Sequence, residues 1–258
     1  MQLKIFISIF FLLFTTIFSS GCSTITETTR FPQERIKSFV KVEKLVQFEI
    51  CDPDPSLPCL PSGRKATGSG AVVASHKQGA FVLTAGHVCS SYDLARNPAV
   101  KNMHVTMEVL DVQLKRYGAR IISVDEDIDT CMLFVVGAKM PPVPISAGSP
   151  KNGDEAYNIA APMGIMHKNL VPLLEGFYFG VDGNRALYSI PAIGGSSGSP
   201  IFNHKGHLIG MIHSVNRYFP VISVSPPTDA LRKFIWQAIK ESEVSTVKPF
   251  TMPQNPKL

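Results

Sequence analysis

Ala80-Phe81-Val82-Leu83-Thr84-Ala85-Gly86-His87-Val88-Cys89 runs a short apolar segment directly into a histidine. Five residues rich in Phe, Val and Leu, closed by small residues, make the pattern of a short buried strand. A histidine at the end of such a strand is held by a rigid element and can aim its ring into a cleft. Runs of the same length recur on both sides: 70–74 (GAVVA), 104–109 (HVTMEV), 131–136 (CMLFVV) and 207–212 (HLIGMI). Each is bounded by Gly, Pro, Asn or charged residues. Regular spacing of this kind predicts an antiparallel sandwich or barrel rather than alternating strands and helices. One helix stands apart near the C-terminus, where Leu231, Phe234, Ile235, Ala238 and Ile239 share a face at helical spacing. Thr228 is the expected N-cap, and Asp229 suits the positive end of the helix dipole.

The ends of the chain read differently. Lys4 precedes an apolar stretch over residues 5–18, and Ser19-Ser20-Gly21 then supplies the small residues that a signal peptidase needs. The stretch is short for a membrane span of about 20 residues. Phe18-Ser19-Ser20-Gly21-Cys22 resembles a bacterial lipoprotein cleavage box, with Ser19 where Leu is usual, and the resemblance implies acylation of Cys22. An ordinary cleaved signal or an uncleaved anchor are the alternatives, and all three export the chain. The expected organisation is a signal or anchor segment at 1–22, a polar, flexible tether at 23–39, one domain at 40–241 and a tail at 242–258. About 235 residues after the signal suit one large β domain. The net charge of +5 comes without a basic run, so no nucleic-acid partner is expected. No Cys/His cluster has ligand spacing, and no metal or other cofactor is called for.

Four cysteines remain beside Cys22, an even number in an exported chain. Cys51 and Cys59 flank a Pro-rich loop where a local bridge is plausible. A bridge between Cys89 and Cys131 would staple the region around His87. Free buried thiols are the alternative, and the pairing stays open.

Gly194-Gly195-Ser196-Ser197-Gly198-Ser199-Pro200 has the composition of a tight turn. A serine nucleophile needs such a turn, with its hydroxyl exposed and backbone N–H groups converging beside it. Glycine permits that backbone because it carries no Cβ. The amides of Gly195 and Ser197 are placed to meet at one point. Asp129 heads the apolar run 131–136, a costly position for a carboxylate unless a donor meets it. A histidine Nδ1–H would do so and would itself be oriented. Asp125 and Asp127 are rivals that look like solvated turn acids.

The order TAGHVC, VDEDIDTCMLF, GGSSGSPIFN resembles the chymotrypsin/trypsin-like serine proteases, nearest their HtrA-like and glutamyl-endopeptidase branches. Thr67-Gly68-Ser69-Gly70, Ala161-Pro162-Met163-Gly164 and Leu174-Glu175-Gly176 fall where that family has supporting segments. The resemblance covers residues 65–236 and implies an all-β fold: a double six-stranded antiparallel β-barrel with a C-terminal α-helix packed on the second barrel. It implies a catalytic triad of His87, Asp129 and Ser197, an oxyanion hole at Gly195 and Ser197, and protein or peptide substrates. Ser196 and Ser199 depart from the commonest residues beside the nucleophile.

By the same resemblance Pro191, six residues before Ser197, stands at the base of the primary pocket, so no carboxylate awaits Arg or Lys. The pocket wall is expected at 211–215, with His213 and Ser214. Within one residue of alignment, His213 matches the histidine that binds acidic side chains in glutamyl endopeptidases. Strand side chains alternate faces, so that one residue separates an acidic preference from a small or apolar one. An inactive protease-like binding module, a structural lipoprotein and an esterase remain as rival readings.

Overall fold

The computed structural model describes residues 31–216, 218–219 and 221–244. The signal segment, Cys22 and most of the tail lie outside the described residues. Six strands form a closed antiparallel barrel in the order β1-β2-β3-β6-β5-β4. They are β1 (Phe39–Ile50), β2 (Leu60–His76), β3 (Gly79–Ala85), β4 (Val100–Asp111), β5 (Arg116–Asp125) and β6 (Thr130–Val136). β3 is buried along its whole length and β6 up to Val135, which is why both read as continuous apolar runs. β1 alternates instead: Val40, Val42, Val46 and Phe48 face inward. Lys44 occupies one of the same inward positions. Its ammonium donates to the Ser90 carbonyl, and burial pulls its pKa down.

The other strands are β7 (Glu155–Ile159), β8 (Leu173–Asp182), β9 (Arg185–Tyr188), β10 (Pro200–Phe202), β11 (Leu208–Met211), β12 (Ser214–Val215) and β13 (Ser223–Ser225). They form one seven-stranded sheet, β11-β10-β7-β8-β9-β13-β12, rather than the expected closed six-stranded barrel. The reason lies at Ile212 and His213. The Ile212 amide donates to Ser199 (2.9 Å) on the β10 side, and the next amide, of His213, donates to Val224 (3.0 Å) in β13. One strand therefore bends between two partners and breaks into β11 and β12. The two ends of the sheet are joined by the chain itself.

The fold also begins earlier than the tether reading placed it. Phe31 is 4% exposed and stacks on Tyr157, with centroids 5.2 Å apart, and against Phe202. A 3-10 turn (Gln33–Ser38) then leads into β1. At the other end the helix Thr228–Val244 buries Leu231, Phe234, Ile235 and Ala238, as the periodicity predicts. It packs against β5 and β6 of the first barrel as well as β11, instead of on the second unit alone. Arg232 fastens it by donating to the Ala147 carbonyl at 2.6 Å. Thr228 is not the N-cap: its hydroxyl donates to the Ile209 carbonyl, while the first helical bond runs from Leu231 to Pro227.

Candidate active site

β3 delivers His87 at its C-terminal end, on a single helical turn (Gly86–Cys89). Asp129 sits in the β5–β6 turn with φ of 48°, a left-handed conformation that Asp tolerates better than most residues. Two backbone bonds lock the pair: the Gly86 amide donates to the Asp129 carbonyl (2.9 Å) and the His87 amide to Asp129 Oδ1 (2.7 Å). The ring closes the clamp, with Nδ1 2.8 Å from Oδ2. Gly86 must be glycine, because a Cβ there would stand 2.9 Å from Oδ1. Asp125 accepts the amides of Asp127 and Ile128 and shapes the turn, so it is a turn acid as expected. Disulfides Cys89–Cys131 and Cys51–Cys59 are both formed, and the first joins the His87 turn to the strand after Asp129.

Burial pushes the Asp129 pKa upward, but hydrogen bonds from His213 and His87 outweigh it and hold the carboxyl well below its ordinary value. Asp129 is therefore ionised wherever the protein is folded near neutral pH. That is the state which keeps an imidazole in the Nδ1–H tautomer and leaves Nε2 free to accept a proton.

The serine turn approaches from the second sheet. Gly195 and Gly198 have φ of 93° and 88°. A Cβ on Gly198 would lie 2.1 Å from the Ser69 carbonyl oxygen and 2.3 Å from Thr84 Oγ1, so the turn is pressed onto the end of the strand that carries His87. A Cβ on Gly68 would meet both the Val88 side chain (2.8 Å) and the Ser197 carbonyl (3.0 Å). The Ser69 amide donates to that carbonyl at 2.7 Å.

Two further bonds set the direction of the amides. The Gly194 carbonyl accepts from Met163 N–H (2.7 Å), and the Gly195 carbonyl accepts from the Ser69 hydroxyl (2.8 Å). Carbonyl and N–H of a trans peptide point opposite ways. Anchoring the Gly194 carbonyl on Met163 thus turns the Gly195 N–H away from that loop. Among the described residues, neither the Gly195 nor the Ser197 amide donates to a protein acceptor. No hydrogen bond joins Ser197 Oγ to His87 among these residues either; the bonded pair is His87 with Asp129.

The remaining expected positions separate. Pro191 is exposed, and Ser214 lies exposed on β12, the edge strand of the sheet. His213, expected in the pocket wall, places its Nδ1 3.5 Å from Asp129 Oδ2. Alternation places its neighbour Ile212, 2% exposed, in the core of the second sheet. Ser69 was missed by sequence reading. Its hydroxyl clamps the Gly195 carbonyl while accepting from the Ala161 amide (3.0 Å), and a lone serine between Gly68 and Gly70 was the available signal. Asn158 was missed too; its amide donates to Ser199 Oγ and the Pro200 carbonyl just beyond the turn. No group of three or more His, Cys, Asp and Glu side chains among the described residues is arranged to hold a metal ion.

A hydrogen-bonded His–Asp pair at the end of a barrel strand, with a serine on a glycine turn packed against that strand's end and two amides without a protein acceptor, has the makings of a serine peptidase site. The family description "trypsin-like peptidase domain" matches residues 68–211, more than half of the chain, and the chain belongs to that family. It is 27% identical over 193 residues to the magnetosome formation protease MamE of Paramagnetospirillum magneticum, a match spanning 67% of this chain and 25% of MamE. The fold is similar to a serine endoprotease from Yersinia pestis, with a TM-score of 0.58 at 18% identity, over 81% of this chain and 66% of that one. The chain thus spans a quarter of the curated relative and just under two thirds of the solved structure. Its fold is that of a trypsin-like peptidase domain.

Proposed function

We propose that this chain is an exported serine endopeptidase whose triad is His87, Asp129 and Ser197. His87 Nε2 takes the Ser197 proton as Oγ attacks a peptide carbonyl, and later returns it to the leaving amine. Asp129 holds the ring and stabilises its charged form. The amides of Gly195 and Ser197 receive the oxyanion, each such donor being worth about 10²–10³ in rate. Water then releases the acyl group.

The observation that carries this reading is the Asp129 clamp, which grips both the backbone and Nδ1 of His87 and leaves Nε2 outside the pair. Rotation about one Ser197 side-chain bond reorients Oγ, and catalytic hydrogen bonds are often long or absent before substrate binds. Small or apolar side chains suit the primary pocket. Pro191 brings no charge, and His213 is occupied by Asp129. Two disulfides favour an oxidising compartment and hence export. Membrane attachment through acylated Cys22 belongs to the same proposal.

Incubating residues 23–258 with an unfolded protein tests it. The wild type should cleave internal peptide bonds and Ser197→Ala should not. Ester turnover without peptide cleavage would make the chain an esterase. The absent Ser197–His87 hydrogen bond is the one feature that favours an inactive binding module, which predicts no turnover of either substrate.

A further inference from the structure

His87 is not the only imidazole on the triad carboxylate. His213 Nδ1 lies 3.5 Å from the same Oδ2 that His87 Nδ1 approaches at 2.8 Å. The His213 side chain is 16% exposed, against 50% for His87, so it sits behind the carboxylate rather than in the cleft. Its position is fixed by the strand bend. The His213 amide bonds to Val224, which turns the residue out of β11 and toward Asp129. The two rings come from different sheets, and Asp129 joins them.

We infer that His213 is a positioning residue: it donates Nδ1–H to Asp129 and sets how strongly that carboxylate holds a proton on His87. This rests on the triad reading proposed above. The sign follows from elementary electrostatics. A donor on Oδ2 draws charge from the carboxylate and weakens its pull on an imidazolium at His87. A positive charge on His213 would act in the same direction by repulsion. Removing His213 therefore raises the pH at which His87 loses its proton, whichever state His213 occupies. Among the described residues the charged group in contact with His213 is Asp129, with His87 across it. β13, the strand that pairs with β12 beside it, brings Ser223, Val224 and Ser225, none of which titrates in this range.

The test is the pH dependence of inactivation by a fluorophosphonate, measured for the wild type and for His213→Ala, His213→Asn and His213→Gln. The amide nitrogen of Asn falls where Nδ1 was, whereas that of Gln falls where Nε2 was. The Ala and Gln variants should slow inactivation about tenfold, a small part of the ~10⁴ lost when such a carboxylate is replaced. Their acid limb should move up by about half a pH unit, with Asn close to wild type on both counts. An unchanged acid limb in every variant, or Asn no better than Gln, would overturn the inference and leave His213 as packing. If the wild type itself does not react, the protease reading fails instead. The ring nitrogen shifts of His213 then decide the contact: an Nδ1–H tautomer that changes in Asp129→Asn upholds it, and an Nε2–H tautomer ends it.

Discussion

The two halves of this fold hold their chemistry by different means. The first is a closed barrel in which His87 and Asp129 lie a few residues from paired strands, tied by three hydrogen bonds between Gly86, His87 and Asp129 and by the Cys89–Cys131 bridge. The second is a sheet of short strands whose ring is completed by a bend at Ile212 and His213. It presents Ser197 on a turn that depends on two glycines with positive φ. His87 and Asp129 are thus fixed at the ends of paired strands, and Ser197 by a turn whose backbone conformation is held by hydrogen bonds from Ser69 and Met163. Loss of the disulfide in the first half should register as lost stability, and errors in the serine turn of the second as lost geometry.

The largest effects expected are on turnover, with one substitution in each half. Asp129→Asn should lower kcat by about 10⁴ with the protein still folded, because the ring loses its enforced tautomer. Gly195→Ala should cost at least the 10²–10³ of one oxyanion donor, measured as kcat on a peptide. Its Cβ would fall 2.5 Å from the Ala161 carbonyl, so the amide has to move. Within the first half, the two disulfides should differ on urea unfolding. Replacing Cys89 and Cys131 together should remove about 4 kcal/mol, against about 2.5 kcal/mol for Cys51 and Cys59, whose loop is far shorter. Equal losses would mean that loop length does not govern the two bridges.

The smallest effect is one of pH. Asp129 has a folded pKa below its ordinary value, so its contribution to folding is complete above about pH 4 and is lost as pH falls below that. Stability of Asp129→Asn should therefore fall less steeply than that of the wild type in this acid range. Parallel curves would show that the clamp does not couple to folding.

What could be read from the chain follows the same division. Buried strands of the first barrel announce themselves as unbroken apolar runs, and His87 and Asp129 stand at their ends, where position and the family resemblance together singled them out. The serine turn was legible because glycine and serine composition is tied to conformation. His213 was not, because a strand residue's face depends on register, and the bend that sets it comes from hydrogen bonds to Ser199 and Val224 that no local pattern encodes. Phe31 looked like part of a polar tether, since its partners Tyr157 and Phe202 lie far along the chain. Thr228 has the right residue type for a cap, yet the Ile209 carbonyl takes its hydroxyl.

Mass spectrometry of the chain after reaction with a fluorophosphonate tests the central claim most directly. A single adduct on Ser197 Oγ is predicted, absent from protein unfolded beforehand and strongly slowed in His87→Ala. A folded wild type that takes no adduct, or an adduct that forms as fast without the His87 imidazole, would contradict it.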